Sequence, residues 1–201
     1  MFHGKYVNIR PIELGDQEFI VRMNADPEVR SGVGGWEFPK SIHEQKRWFE
    51  SGSSGGTTQR WIVESADGVP IGLVGLWNIN WHDRNAEVGI KIASGVYRGK
   101  GYGTDILLST CTYAFHEVGL NRLYASIRAD NRASLKIFTT HAGWSVEGRW
   151  RHHVWRQGAY VDVVHVGVLA SEFINHPYWK DYCKLISEGR VDADGEGSDV
   201  R

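Results

Sequence analysis

Tyr97-Arg98-Gly99-Lys100-Gly101-Tyr102-Gly103-Thr104 separates an alternating apolar run, Ala86 to Ile92, from an amphipathic run, Thr104 to Val118. Together they read as a strand, a glycine-rich turn and the first turn of a helix. Gly99, Gly101 and Gly103 suit neither a helix interior nor a strand interior, but they let the backbone turn tightly with its N–H groups exposed. Those N–H groups, with a helix N-terminus behind them, make a site for an anion such as a pyrophosphate. Arg98 and Lys100 add positive charge beside it. The stretch lacks the terminal Gly-Lys-Ser/Thr of a P-loop, and its glycines do not have dinucleotide-binding spacing. On spacing alone, a plain strand-to-helix turn with two solvated basic residues would look the same.

The flanks narrow the choice. Lys5 to Ile9 reads as a first strand stopped by Pro11, and Asp16 as the N-cap of a helix reaching about Asn24. Asp26-Pro27 breaks it, and Ser31 to Pro39 reads as a loop carrying Trp36 and Phe38. Ser41 with Glu44 forms a capping box for a second helix, to about Glu50. Gly52 to Thr58 is a linker. Trp61 to Glu64 and Ile71 to Ile79 are strands joined at Asp67-Gly68. Along the next strand Ala86, Val88, Ile90 and Ile92 share one face, and Glu87, Gly89 and Lys91 the other. The helix from Thr104 buries Leu107, Cys111, Ala114, Phe115 and Val118. A fifth strand holds Leu123, Ala125 and Ile127, and a shorter helix spans Asn131 to Ala142. Ser145 to Trp155 and Tyr160 to Leu169 form a hairpin around Gln157-Gly158, followed by a helix near Tyr178 to Ser187. The order β-α-α-β-β-β-α-β-α-β-β describes a mixed α/β sheet on one core.

Arg98, Gly101 and Gly103 match the Arg/Gln-x-x-Gly-x-Gly/Ala signature, so the loop resembles the one with which GNAT acetyltransferases grip the pyrophosphate of acetyl-CoA. Asn131 to Ser134 resembles the Asn-x-x-Ser of the same superfamily, although both residue types are also good helix caps. Ile9-Arg10-Pro11 and Gly143 to Gly148 are similar to the RimJ/RimL branch of ribosomal-protein N-terminal acetyltransferases and related spermidine and amino-sugar enzymes. The resemblance covers about residues 5 to 170. It implies the GNAT acyl-CoA N-acyltransferase fold, a seven-strand mixed sheet flanked by about four helices. It further implies a domain over residues 1–170, a helical extension over 171–188 and a disordered tail over 189–201.

The implied activity is transfer of acetyl from acetyl-CoA to a primary amine, by direct attack in a ternary complex. The amine would be a protein N-terminus or a small molecule. The residues implied to hold acetyl-CoA are Ile90, Lys91 and Ile92, the loop residues Arg98, Gly99, Lys100, Gly101, Tyr102, Gly103 and Thr104, and Asn131, Ser134 and Phe138. The strand around Ile90 would pair with the pantetheine arm as an added strand does. Amide formation from a thioester needs an unprotonated amine, a stabilised oxyanion and a proton for the departing thiolate. Glu87 is the candidate base: it shares a face with Gly89, whose missing side chain leaves room for a substrate, and a water would carry the proton. As a solvated residue on a polar strand face it would need no role. Many relatives carry a proton-donating Tyr where this chain has Phe138, which has no proton to give. Water, Thr139 or His141 would substitute, or the thiolate would leave unassisted, a thiol pKa near ~8.5 making that tolerable. The alternative is a non-catalytic acyl-CoA-binding or sensing module. Trp36, Trp77 and Trp81 are candidates to flank the acceptor, against the plainer reading of core packing.

Composition sets the remaining bounds. A chain of 201 residues fits one domain. A net charge of −1 argues against a general nucleic-acid binder. Cys111 and Cys183 form no disulfide framework, fitting a reducing cytoplasm, and no apolar run suggests a leader or a membrane span. His152, His153 and His165 lack metal-ligand spacing, and neither His43-Glu44 nor His116-Glu117 extends to His-Glu-x-x-His. The expectation is an enzyme without a metal, working as a monomer or homodimer.

Overall fold

The alternation in Ala86–Ile92 becomes strand β5 (Asn85–Ile92), and the apolar residues on either side of it dictate what packs where. The computed structural model describes residues 1–32, 40–50, 56–93 and 95–189. The elements before β5 are β1 (Phe2–His3), β2 (Val7–Pro11), α1 (Gln17–Ala25), α2 (Pro27–Gly32), α3 (Ile42–Glu50), β3 (Gln59–Ser65) and β4 (Pro70–Asn80). After it come α4 (Tyr102–Thr112), β6 (Arg122–Arg128), α5 (Arg132–Leu135), β7 (Ser145–Arg156), β8 (Ala159–Leu169), α6 (Ala170–Phe173) and α7 (Trp179–Glu188). The described strands form one eight-stranded sheet in the order β1-β2-β3-β4-β5-β6-β8-β7.

One face of the sheet presents Leu76, Ala86, Val88, Leu123, Ala125 and Val166 to α4, whose Leu107, Leu108 and Cys111 complete the main core. Full burial of one such leucine contributes about 1.5–3 kcal/mol. Helix α4 is buried nearly all round, so its polar residues must satisfy themselves within the helix. Ser109, Thr110 and Thr112 hydroxyls donate to the carbonyls of Asp105, Ile106 and Leu108 at 2.7, 2.7 and 2.9 Å. Beyond Thr112 the helix widens to a π-helical turn, Tyr113–Glu117. The opposite face carries a smaller core of Ile12, Ile20 and Ile62, closed by Phe19, Trp48, Phe49 and Leu73 from α1, α3 and β4.

The sheet differs from the expected seven strands because Phe2–His3 adds a short edge strand against Ile9 and Asn8. Pro11 does not stop β2 but sits in it opposite Trp61, a strand-end position where its missing N–H is tolerated. Asp16 precedes α1 without capping it: its carboxylate instead accepts from the Glu13 N–H at 2.7 Å and takes both Arg10 guanidinium nitrogens at 2.7 and 2.8 Å. Helix α2 occupies the start of what reads as loop, since Pro27 fits a first helical position. The helix expected over Asn131–Ala142 divides into α5 and a π-helical segment, Lys136–His141. The capping box of Ser41 and Glu44 forms, at 2.8 and 3.2 Å, as does the hairpin at Gln157-Gly158, with φ of 48° and 82°. No helix among the described residues is long and apolar enough to cross a membrane.

Candidate functional site

Strand β5 is paired along its length with β4, from Gly72 opposite Ile92 to Asn80 opposite Asn85. Its other neighbour, β6, runs parallel and is registered only over Asn85–Arg122, Ala86–Leu123 and Glu87–Tyr124. From Val88 to Ile92 the β6 side of β5 is therefore an open edge, roughly 16 Å long at about 3.3 Å per residue. Backbone groups along such an edge call for a partner.

At the end of that edge the chain enters the glycine loop. Gly99 and Gly101 have φ of 73° and 85°, a conformation that costs other residues about 1–2 kcal/mol. Gly101 is the N-cap of α4 and offers no side chain to it, leaving the first amides of the helix directed into the loop. Gly103 lets α4 approach the segment after α5: a Cβ there would lie 2.7 Å from Ile137 Cδ1. Asp105, in the same first turn, faces away from the loop and accepts from the backbone N–H groups of Lys5 and Tyr6, each at 2.8 Å. Arg98 and Lys100 are exposed, and Arg98 Nη1 donates to Glu28 Oε2 of α2 at 3.1 Å. Ile92 reaches toward Gly103 from β5.

Glu87, Gly89 and Lys91 face the α1 and α3 side of the sheet, as the alternation requires. The room above Gly89 is not empty: a Cβ there would meet the Trp77 ring at 2.8 Å, and one at Gly75 would meet it at the same distance. The two glycines thus form a floor for the indole of Trp77, which corrects the expectation that Gly89 leaves space for a substrate. Arg60 lies over the Trp77 and Trp48 rings at 5.7 and 5.0 Å, and Lys91 Nζ donates to Asn24 Oδ1 at 3.2 Å. Trp81 is exposed, its indole N–H donating to the Gly56 carbonyl. Trp36 lies outside the described residues.

Where β5 and β6 part, three polar side chains meet. Asn78 Nδ2 donates to Glu87 Oε2 at 3.1 Å and also hydrogen-bonds Tyr124. Asn78 sits in a break of the β4–β5 register with φ of 51°, a left-handed bulge that swings its amide over the neighbouring strand. Burial, and then the negative charge of Glu87, push the Tyr124 phenol above its ordinary value, so it keeps its proton. The alternation around Leu123 shows that Tyr124 faces away from the core. It does not show that Tyr124 pairs with Glu87, because parallel register is a tertiary property.

The helix-side residues behave differently from one another. Asn131 caps α5, accepting from the Ser134 N–H at 3.0 Å, while its amide donates to the Gly32 carbonyl at 2.8 Å. Phe138 is 4% exposed and packs edge-on against Trp144 at 4.8 Å, so its ring is a core element rather than a wall of the site. Cys111 is fully enclosed and its thiol is pushed far up by burial, which removes it as an acyl-carrying nucleophile. Among the described residues no three His, Cys, Asp or Glu side chains converge as a metal site would need.

The description "Acetyltransferase (GNAT) domain" belongs to a family model that matches residues 7–143. The spermidine N(1)-acetyltransferase of Vibrio cholerae is 28% identical over 170 residues, covering 84% of this chain and 96% of that protein. A putative ribosomal N-acetyltransferase of Bacillus subtilis is 32% identical over 107 residues, 53% of this chain and 57% of that one. The crystal structure of the V. cholerae spermidine N-acetyltransferase in complex with CoA and spermine matches with a TM-score of 0.78 at 26% identity, over 84% and 98% of the two chains. A half-open central strand leading into a glycine-capped helix, and a family match over most of the sheet, lead to one conclusion: the chain belongs to the GNAT acetyltransferase family.

Proposed function

We propose that this protein transfers the acetyl group of acetyl-CoA to a primary amine by direct attack while both are bound. The observation that carries the reading is the edge of β5 from Val88 to Ile92, left open where β6 departs and ending at the N-terminus of α4. A pantetheine arm laid along that edge would hydrogen-bond as a strand does, its pyrophosphate end at the amides of Tyr102 to Thr104 and its thioester end beside Glu87. Arg98 and Lys100 would meet the phosphates. Asn131 and Ser134 would border the arm from α5. One free N–H of β5 would polarise the thioester carbonyl. Glu87, reached through water, would take the proton of the attacking amine. The enclosed Cys111 supports direct transfer over an acyl-enzyme. Trp77 and Arg60 would form the acceptor wall, with Trp36 and Trp81 at its rim.

The acceptor is proposed to be a small primary amine such as spermidine, the substrate named for the V. cholerae relative. A protein N-terminus is the second reading, favoured by Arg60 and Lys91 on the acceptor face, since a polycation is repelled by them and a peptide is not. Thiol release from acetyl-CoA against spermidine, spermine, amino sugars, aminoglycosides and Ser- or Ala-initiated peptides tests both. Release with one class establishes the reaction and the acceptor; CoA binding without release in any arm returns the protein to an acyl-CoA sensor.

A further inference from the structure

The departing sulfur needs a proton, and Phe138 neither carries one nor faces the site. A group that supplies it must meet three conditions: it must hold its proton at neutral pH, lie where the open edge of β5 begins, and stand on the reacting side of the sheet. Tyr124 meets all three. It is the last residue of β6 in register with β5, opposite Glu87. Its face of β6 is that of Arg122 and Ser126, away from Leu123, Ala125 and Ile127 in the core. The arm of acetyl-CoA, anchored at the α4 end of β5 and running back along it, brings its thioester to the point where β5 and β6 meet.

We propose that Tyr124 is the catalytic acid of the acetyl transfer, its phenolic O–H giving a proton to the CoA sulfur as the C–S bond breaks. The proposal rests on the acetyl-transfer reading above. The protons balance as follows. Glu87 takes one proton from the ammonium form of the acceptor and passes it to solvent, leaving a neutral amine to form the C–N bond. The nitrogen of the tetrahedral intermediate then loses its second proton to Glu87 as Tyr124 protonates the leaving sulfur. Asn78, hydrogen-bonded to both side chains, holds them adjacent so that Glu87 reprotonates the tyrosinate. Products are the amide, CoA thiol and one released proton.

The other charged groups near Tyr124 are few. Arg122 stands two residues away on β6 and is engaged by Glu147, and His165 on β8 hydrogen-bonds Ser126 at 3.2 Å. None of these reaches across to β5.

The experiment is Tyr124→Phe and, in parallel, 3-fluorotyrosine at position 124, assayed with the amine that best supports thiol release by the unaltered protein. Tyr124→Phe should lower kcat by about 10- to 100-fold, the low end of general acid catalysis, with KM for acetyl-CoA unchanged. Fluorotyrosine, a stronger acid of nearly the same shape, should retain turnover and move the alkaline limb of kcat to lower pH. A merely structural tyrosine would not move that limb. A kcat for Tyr124→Phe within twofold of the parent, or a change confined to KM of the amine, overturns the assignment. An unaltered protein that releases no thiol overturns the acetyl-transfer reading instead, so the two failures are told apart.

Discussion

The Tyr182 hydroxyl of α7 donates a 2.5 Å hydrogen bond to Asp105 Oδ1 in the first turn of α4. Both residues are buried, and Asp105 also holds the backbone of Lys5 and Tyr6. One carboxylate therefore ties the two ends of the described chain to the helix whose N-terminus forms the anion loop. Burial, then the charge of Asp105, push the Tyr182 phenol far up, so the bond persists at any physiological pH. Tyr182→Phe should cost about 1.5–3 kcal/mol, the range for a hydrogen bond to a charged group. Asp105→Ala should cost more, because it orphans two buried N–H donors as well. Urea unfolding of the parent and both variants gives the comparison; equal midpoints would refute the clamp.

Glu87→Gln should lower turnover about 10- to 100-fold, most at low pH where the acceptor amine is most protonated and a base matters most. Affinity for acetyl-CoA should stay as it was. Initial rates between about pH 6 and 9 check this, and a profile superimposable on the parent would remove Glu87 from the chemistry.

At Gly89 and Gly75 an added methyl must displace Trp77, and at Gly75 it also meets the Gln59 carbonyl at 2.7 Å. Gly75→Ala should destabilise by about 1–3 kcal/mol, as overpacking does. Gly89→Ala has only the ring to move, so its larger effect should be on KM of the amine. Thermal melts and acceptor saturation curves separate the two effects.

Gly101→Ala forces an L-residue to φ near 85° at the N-cap of α4. The strain of about 1–2 kcal/mol should appear as a roughly 5- to 30-fold rise in KM for acetyl-CoA with kcat little changed. A loss in kcat alone would place the loop's role elsewhere.

Acid stability should report the clamp of Arg10, Asp16 and Glu64. Burial is the largest single influence on Asp16 and acts to raise its pKa, but the Arg10 and Glu13 hydrogen bonds together hold it below the ordinary carboxylate value. Folded Asp16 thus binds fewer protons than unfolded Asp16. Its contribution is complete above the unfolded value of about 3.9 and is lost as pH falls through the folded one. Asp16→Asn should lower the melting temperature at pH 7 and converge with the parent at the acid end. Parallel curves throughout would disprove the linkage.

Ala86–Ile92 and the helix after the glycine loop were legible because their periods of 2 and 3.6 are local. The loop itself was legible because only glycine serves at φ of 73° and 85°. Phe2–His3 was not, since two residues carry no period, and neither were the π-helical turns, whose sequences read as ordinary helix. At the site, Glu87 and its face could be read from alternation. Trp77 over Gly75 and Gly89 could not, because it depends on the antiparallel register of two strands. The same holds for Asn78, whose left-handed bulge brings Glu87 and Tyr124 into one network. Ile9-Arg10-Pro11, read only as a family likeness, has a physical account: Arg10 grips Asp16 and Glu64 and anchors the start of α1 to the sheet.

The brief registry between β5 and β6 has a mechanical consequence. Strands β1 to β5 and strands β6 to β8 behave as two plates sewn together by three residue pairs and bridged by α4. A ligand laid in the opening is a surrogate strand that completes the seam. Its binding free energy is then also cohesion between the plates, amounting to about 2.7 kcal/mol of added resistance to unfolding at a hundredfold excess over its dissociation constant. For this fold, the acetyl donor is a temporary structural member as well as a reagent.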